Sequence, residues 1–459
     1  MRERRNILVV TADSLAPRMA GPAIRAFEMA KALSTVSNVR LASTVHVSLQ
    51  HADFEIFEAL GDELVAAEEW ADVIVFQGHL LASHPWLKES NKIIVADIYD
   101  PMHLEQLEQS KGLTTEARIA GSVDIVHVLN DQMARADFMV CASEKQRDFW
   151  LGQLAALGRV NPATYDQDAS LRTLLDVAPF GLDPVAPVQR RHAIKGAIDG
   201  IGSDDKVILW GGGIYNWFDP LTLIRAVHAL SKRRPNVRLF FLGVKHPNPH
   251  VPTMQMAVDA QKLAEELGLL GTVVFFNEGW VPYDERADFI MDADLGVSTH
   301  LDHLETAFSF RTRILDYLWA SLPIVSTDGD TFADLIRAHE LGIVVPPGDA
   351  AALEGALETL LFDDEEHDAT VARVKSFART MTWDRLLEPL VRFCLEGKRA
   401  ADLIDGFALA GEDRLIAART RITGLETSFS WRVTAPIRGV STAVRRIRAF
   451  SPTARGTSD

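Results

Sequence analysis

The chain has 459 residues and a formal net charge of −16, with 47% hydrophobic and 24% charged residues. That length exceeds one hydrophobic core, so two domains and some extra chain are expected, and an acidic globular chain disfavours nucleic acid as a partner. The two cysteines, Cys141 and Cys394, lie far apart, which makes neither a disulfide framework nor a metal cluster and fits a reducing cytoplasm.

The N-terminus MRERRNILVV carries too short an apolar run for a signal peptide. No stretch reaches the roughly 18–20 apolar residues that cross a bilayer, so a water-soluble body is expected, meeting a membrane only from its surface. Short apolar runs then read as buried strands at Ile7–Val10, Val39–Val45, Val73–Phe76, Ile93–Ala96 and Phe138–Cys141. Between them lie amphipathic segments, Ile24–Leu33 and Glu144–Leu157 among them. Such alternation predicts a parallel sheet covered on both faces. A second series follows, with strands at Val207–Trp210, Val237–Leu242, Val273–Phe276, Leu295–Ser298, Pro323–Ser326 and Ile343–Val345. Asp219 caps a helix opened by Pro220, Gln255–Leu267 ends at Gly268, and Arg311–Ala320 and Ala350–Leu361 complete the helices. The fold class is therefore α/β, two doubly wound parallel-sheet domains. The boundaries are residues 1–183, residues 184–380, a further helix within 381–410 that begins at Trp383, and a tail over 411–459.

The tail differs from the body. From Arg414 to Arg455 there are nine arginines, one acid (Glu426) and no lysine, interspersed with apolar residues such as Leu415, Phe429, Trp431 and Phe450. That mixture suits an anionic membrane surface, a solvated tail, or docking on the acidic body.

Doubly wound sheets bind ligands beyond the carboxyl ends of their strands. Three segments there carry chemistry. Gly21, before Pro22, lets backbone approach a ligand and opens a helix whose free N–H groups attract anions. Gly211, Gly212 and Gly213 follow a strand and expose backbone fit to cradle a phosphate, although the GK[ST] of a P-loop is absent. In Glu305-Thr-Ala-Phe-Ser-Phe-Arg311-Thr-Arg313-Ile-Leu-Asp316, two arginines fall in the predicted first turn of a helix, where they oppose its dipole unless an anion is present. Arginines with backbone N–H groups make a diphosphate clamp, and Asp316, three residues on, can accept from ribose hydroxyls. The Asp292-Ala-Asp294 and Asp328-Gly-Asp330 pairs fit ordinary element ends, and HExxH, CxxC and GxSxG are absent, so no metal is expected. The missing GxGxxG disfavours a dinucleotide oxidoreductase.

Arg313-Ile-Leu-Asp-Tyr-Leu-Trp-Ala-Ser-Leu-Pro-Ile-Val325 resembles the K-L-x-E-Y-x-A-x-G-x-P-V-V signature of the GT4-type retaining glycosyltransferases, glycosyltransferases group 1. Three further segments resemble that family in order: Gly21-Pro-Ala-Ile-Arg25, Ala136-Asp-Phe-Met-Val-Cys-Ala-Ser-Glu144 and Val177-Ala-Pro-Phe-Gly-Leu-Asp183. The resemblance spans roughly residues 5–395. It implies the GT-B fold and transfer from a nucleoside diphosphate sugar, without a metal cofactor and with retained configuration. It places the donor in the second domain and the acceptor in the first, and it folds the helix at Trp383 back onto the first domain. Arg311 and Arg313 would hold the departing diphosphate, Asp316 the ribose, and Glu305 the sugar. His79, Asp97, Asp100 and His103 would face the acceptor, a glycan or a lipid-linked sugar. Two departures stand out. Phe308 occupies the place of the family's usual Glu, eight positions before Asp316, and Gly212 to Asp219 lack both basic residues of its G-R-x-x-x-x-K-G loop. A nucleotide-binding partner subunit without activity is the competing reading.

Overall fold

The apolar runs of the first half pair into one sheet, in a computed structural model that describes residues 4–244, 254–404 and 421. Its strands are β1 (Asn6–Thr11), β2 (Asn38–Ser43), β3 (Glu55–Glu58), β4 (Val73–Gln77), β5 (Ile93–Asp97), β6 (Phe138–Cys141) and β7 (Leu175–Val177), ordered β3-β2-β1-β4-β5-β6-β7. The second half forms β8 (Lys206–Trp210), β9 (Val237–Phe241), β10 (Val274–Phe276), β11 (Leu295–Ser298), β12 (Ile324–Thr327) and β13 (Gly342–Val345), ordered β10-β9-β8-β11-β12-β13. Every pairing within the two sheets is parallel. Two strands escape the sequence reading. The edge strand β3 reads Glu-Ile-Phe-Glu and is only half-buried, and the edge strand β7 has three residues, so neither carries a continuous apolar run.

Local chemistry sets the helix ends. Pro22 lies in the first turn of the helix Gly21–Ser34. The Asp219 carboxylate accepts from the Thr222 N–H at 2.9 Å and caps Pro220–Ser231. Gly268 takes φ +66° just past Gln255–Glu266, the left-handed turn that ends a helix most cheaply with glycine. The helix expected over Arg311–Ala320 is shorter, Arg313–Trp319, so Arg311 lies before it rather than in its first turn.

Strand order reverses between β1 and β4 in one sheet and between β8 and β11 in the other. A crevice opens at each switch point, and the two crevices face each other. The chain returns to the first domain after the second sheet is complete. The Leu182 N–H donates to the Met381 carbonyl at 2.7 Å, and the Trp383 N–H to that of Leu182 at 3.1 Å. Gly181 is required there, because a Cβ would lie 2.6 Å from the Trp383 backbone. The segment from Trp383 is not one helix but two, Trp383–Leu386 and Glu388–Glu396, since Pro389 opens a new first turn. Phe393 then stacks on Phe138 at 4.3 Å, and fully buried Asp402 pairs with fully buried Arg159 of the first domain. Among the described residues no helix is long and apolar enough to cross a membrane. The basic tail, apart from Arg421, lies outside them.

Candidate functional site

The glycine loop after β8 is held from below. The Gly211 N–H donates to the Tyr317 hydroxyl at 2.7 Å, and a Cβ at Gly211 would meet that ring at 3.2 Å. Gly212 stands at φ +83°. The N–H groups of Gly212 and Gly213 have no hydrogen-bond partner among the described residues, so the loop offers two backbone donors. The Gly213 carbonyl faces away from that role: it accepts from Arg313 Nη2 at 2.9 Å and from the Trp210 indole at 3.2 Å. Arg313 lies between Trp210 and Phe218, its guanidinium carbon 4.2 and 4.0 Å from the ring centroids. Burial lowers its pKa to about 10, and its buried Nη1 has no hydrogen-bond partner among the described residues. An unsatisfied buried cation beside two free N–H groups is an anion site.

Asp316 does not pair with Arg313 one turn above it. Its Oδ1 accepts from Arg286 Nε at 3.3 Å. Burial raises the Asp316 carboxyl, and the Arg286 guanidinium opposes that shift. Arg286 is itself clamped, 3.7 Å from the Tyr283 ring and 4.3 Å from that of Trp319.

Arg311 is engaged differently. It makes a bidentate pair with Glu305, at 3.0 and 2.7 Å, and both are buried. Asp330 Oδ2 lies 4.0 Å from Arg311 Nε and 3.5 Å from His300 Nε2, and none of these three atoms has a hydrogen-bond partner among the described residues. The cation of Arg311 is thus already countered by two carboxylates. Phe308, at the place of the family's Glu, packs its ring on Phe149 of the first domain at 4.5 Å, and its carbonyl accepts from Gln146 Nε2 at 2.7 Å.

These groups share a cavity of about 440 Å³ between the domains. Gly21, Gly211, Gly212, Gly213, Arg311, Arg313, Asp316 and Asp100 line it; Glu305, His79, Asp97 and His103 do not. Asp97 is consumed by a buried bidentate pair with Arg25, at 2.7 and 2.8 Å, and accepts from Gln77 at 3.0 Å. His103 stacks on Phe149 at 5.3 Å, and exposed His79 precedes the short helix Leu80–Ser83. Burial of the ring lowers the pKa of His103. Asp100 hydrogen-bonds Glu105, a residue with no sequence signal, and burial followed by the Glu305 carboxylate pushes Asp100 up to about 7. Burial, then Asp100, raises Glu105. The domains also touch through backbone: the Tyr283 N–H donates to the Pro17 carbonyl at 2.9 Å, and the Trp280 indole to that of Met19 at 3.2 Å.

Sequence reasoning also missed Arg286, which lies 30 residues before its partner Asp316 and belongs to no motif. After the glycine loop, Tyr215 and Trp217 stack on each other at 5.0 Å. The Asp-x-Asp acids hold structure. Asp292 accepts three successive N–H groups, Ala193 to Lys195, at 2.7 to 3.2 Å, and Asp294 that of Val207 at 2.7 Å. Asp328 pairs with Arg337, and Asp330 caps the helix Thr331–His339.

Residues 205–363 match the family described as Glycosyl transferases group 1. A phosphatidyl-myo-inositol mannosyltransferase of Mycobacterium leprae (strain TN) is 33% identical over 84 residues, which is 18% of this chain and 22% of that protein. The chain therefore aligns with about a fifth of that relative's length. A sucrose-phosphate synthase from Thermosynechococcus elongatus superposes with a TM-score of 0.60 at 14% identity, over 85% of this chain and 98% of that one. Anabaena Alr3699/HepE in complex with UDP-glucose gives 0.58 at 13% identity, over 86% and 100%. At such identities the superpositions speak for the fold alone, which is that of the GT-B glycosyltransferases.

Proposed function

We propose that this chain, whose residues 205–363 belong to the group 1 glycosyl transferases, moves a sugar from a nucleoside diphosphate sugar to a glycan or lipid-linked acceptor in cell-surface polysaccharide assembly. The observation that carries the donor half of this reading is the orphaned Nη1 of buried Arg313 beside the free N–H groups of Gly212 and Gly213. As the bond between the sugar carbon and the diphosphate oxygen breaks, negative charge grows on the diphosphate. Donors held in a closed cavity stabilise that charge without reorganising. Arg313 and the loop supply them, Asp316 holds the ribose, and no step in this account calls for a metal ion. Retention of configuration belongs to the proposal through the family resemblance. The 13%-identical Anabaena protein was crystallised with UDP-glucose, which supports this class of donor.

Arg311 and Glu305 serve this reading as a neutral pair that positions the loop before Arg313. The acceptor enters from the first domain, where Asp100 and Glu105 line the cavity. A cytoplasmic location, with the basic tail of residues 411–459 against an anionic membrane surface, rests on the tail's sequence. Phe308, and a glycine loop without basic residues, favour a second reading, a nucleotide-binding partner subunit without turnover.

Calorimetric titration of UDP, GDP, ADP and dTDP in EDTA, with wild type and Asp316→Ala side by side, tests the proposal. Selective binding of one diphosphate, weakened in the variant, is expected. No binding to folded wild-type protein refutes the donor site, whereas binding without transfer of sugar from the matching donor favours the second reading.

A further inference from the structure

Arg286 and Asp316 form a donor–acceptor pair on the cavity wall. Asp316 Oδ1 is taken by Arg286 Nε at 3.3 Å, and Arg286 Nη1 donates to the Tyr283 carbonyl at 2.7 Å. That leaves one atom on each residue, Asp316 Oδ2 and Arg286 Nη2, with no hydrogen-bond partner among the described residues. Both residues line the cavity, with side-chain exposures of 34% and 15%. The Arg286 side chain is not free to turn away. The guanidinium is held between the rings of Tyr283 and Trp319, and the Trp319 indole is anchored on the Val185 carbonyl at 2.8 Å.

A carboxylate only accepts hydrogen bonds and a guanidinium only donates them. The ligand fragment that satisfies both at once has two adjacent groups, one donating and one accepting. A vicinal diol does this, because each hydroxyl can play either part. Resting on the donor-site reading above, we infer that Arg286 and Asp316 together read the two ribose hydroxyls, and that Arg286 restricts the donor to ribonucleoside diphosphate sugars. One hydroxyl donates to Asp316 Oδ2 and its neighbour accepts from Arg286 Nη2. A deoxyribose leaves one charged group facing the missing oxygen. A site built to hydrogen-bond a hydroxyl rejects the analogue without it far more strongly than an apolar pocket rejects a missing methylene. Arg286 acts on Asp316 as well: with its positive charge gone, burial of the carboxyl is unopposed.

The test uses the full chain. UDP, GDP and ADP are titrated beside their 2′-deoxy and 3′-deoxy counterparts into wild type, Arg286→Gln and Arg286→Lys, with each variant's unfolding midpoint measured. Wild type is expected to bind its preferred ribonucleotide roughly ten- to a hundredfold more tightly than one or both deoxy forms, the range for a hydrogen bond to a charged group. In Arg286→Gln that ratio should fall toward one while binding persists. Arg286→Lys, which keeps the charge but loses the planar fork, should also lose most of the ratio. Equal binding of ribo and both deoxy forms by wild type overturns the inference and leaves the donor site standing, as does a ratio that survives in both variants. Failure of every nucleotide to bind folded wild type removes the donor site and the inference together.

Discussion

Replacing Arg313 by Met should separate stability from binding. Burial lowers the Arg313 pKa from 12.5 to about 10, which at 1.36 kcal/mol per decade of proton affinity is a cost of about 3 kcal/mol for keeping the cation buried. The folded value lies below the unfolded one, so this cost is present in full at every pH below about 10 and disappears only as the pH rises toward the unfolded value. Two contributions offset it. The faces of Trp210 and Phe218 each give ~0.5–2 kcal/mol, and the charged hydrogen bond to the Gly213 carbonyl gives ~1.5–3 kcal/mol. Methionine fills similar space without the charge. Those offsets come to about 2.5–7 kcal/mol against a cost of about 3, so Arg313→Met should leave the free energy of unfolding between nearly unchanged and about 4 kcal/mol lower. Nucleoside diphosphate affinity should fall by roughly a hundredfold, because the orphaned Nη1 is the anion's charged donor. Urea unfolding and calorimetry on the same preparations check both halves. A loss of several kcal/mol in stability with unchanged affinity would refute the assignment and make Arg313 a structural support of the glycine loop.

Two further outcomes follow from buried charge. Asp402→Ala strands the Arg159 guanidinium, which is fully buried and pairs with no other carboxylate among the described residues, and should cost roughly 3–5 kcal/mol in urea unfolding; adding Arg159→Met should recover most of it, and a cost under about 1 kcal/mol would refute the pairing. Asp100 and Glu105 are both raised by burial, Asp100 to about 7. Because their folded values exceed the unfolded ones, the stability they contribute is complete below about pH 4 and is lost as the pH rises through about 7. Asp100→Asn should flatten that decline and leave the variant about 1 kcal/mol ahead at pH 8; parallel pH profiles for the two proteins would refute the raised Asp100 carboxyl.

Most of the fold was legible because burial of a parallel sheet on both faces leaves a local mark. Runs such as Ile7–Val10 and Val207–Trp210 can bury only as central strands, and Asp219-Pro220 carries its own cap. Strands β3 and β7 left no such mark, since an edge strand needs neither length nor a continuous apolar run. Part of the site was equally local: three glycines after a strand expose backbone wherever they occur, and Arg313 and Asp316 sit in one short helix. What each side chain touches was not local. Arg311 looked like a phosphate ligand by position, yet Glu305, only six residues away, and Asp330 claim its charge. Asp97 and His103 looked available at strand ends, and Arg25 and Phe149 claim them from elsewhere in the chain. Arg286, 30 residues from Asp316, carried no signal at all. The sequence by itself determined two parallel α/β sheets and the loops at their switch points, because periodicity and turn chemistry act over a few residues. Only the tertiary structure decided which of those loops' charges remain free for a ligand, because charge pairing is settled by distance in space and desolvation.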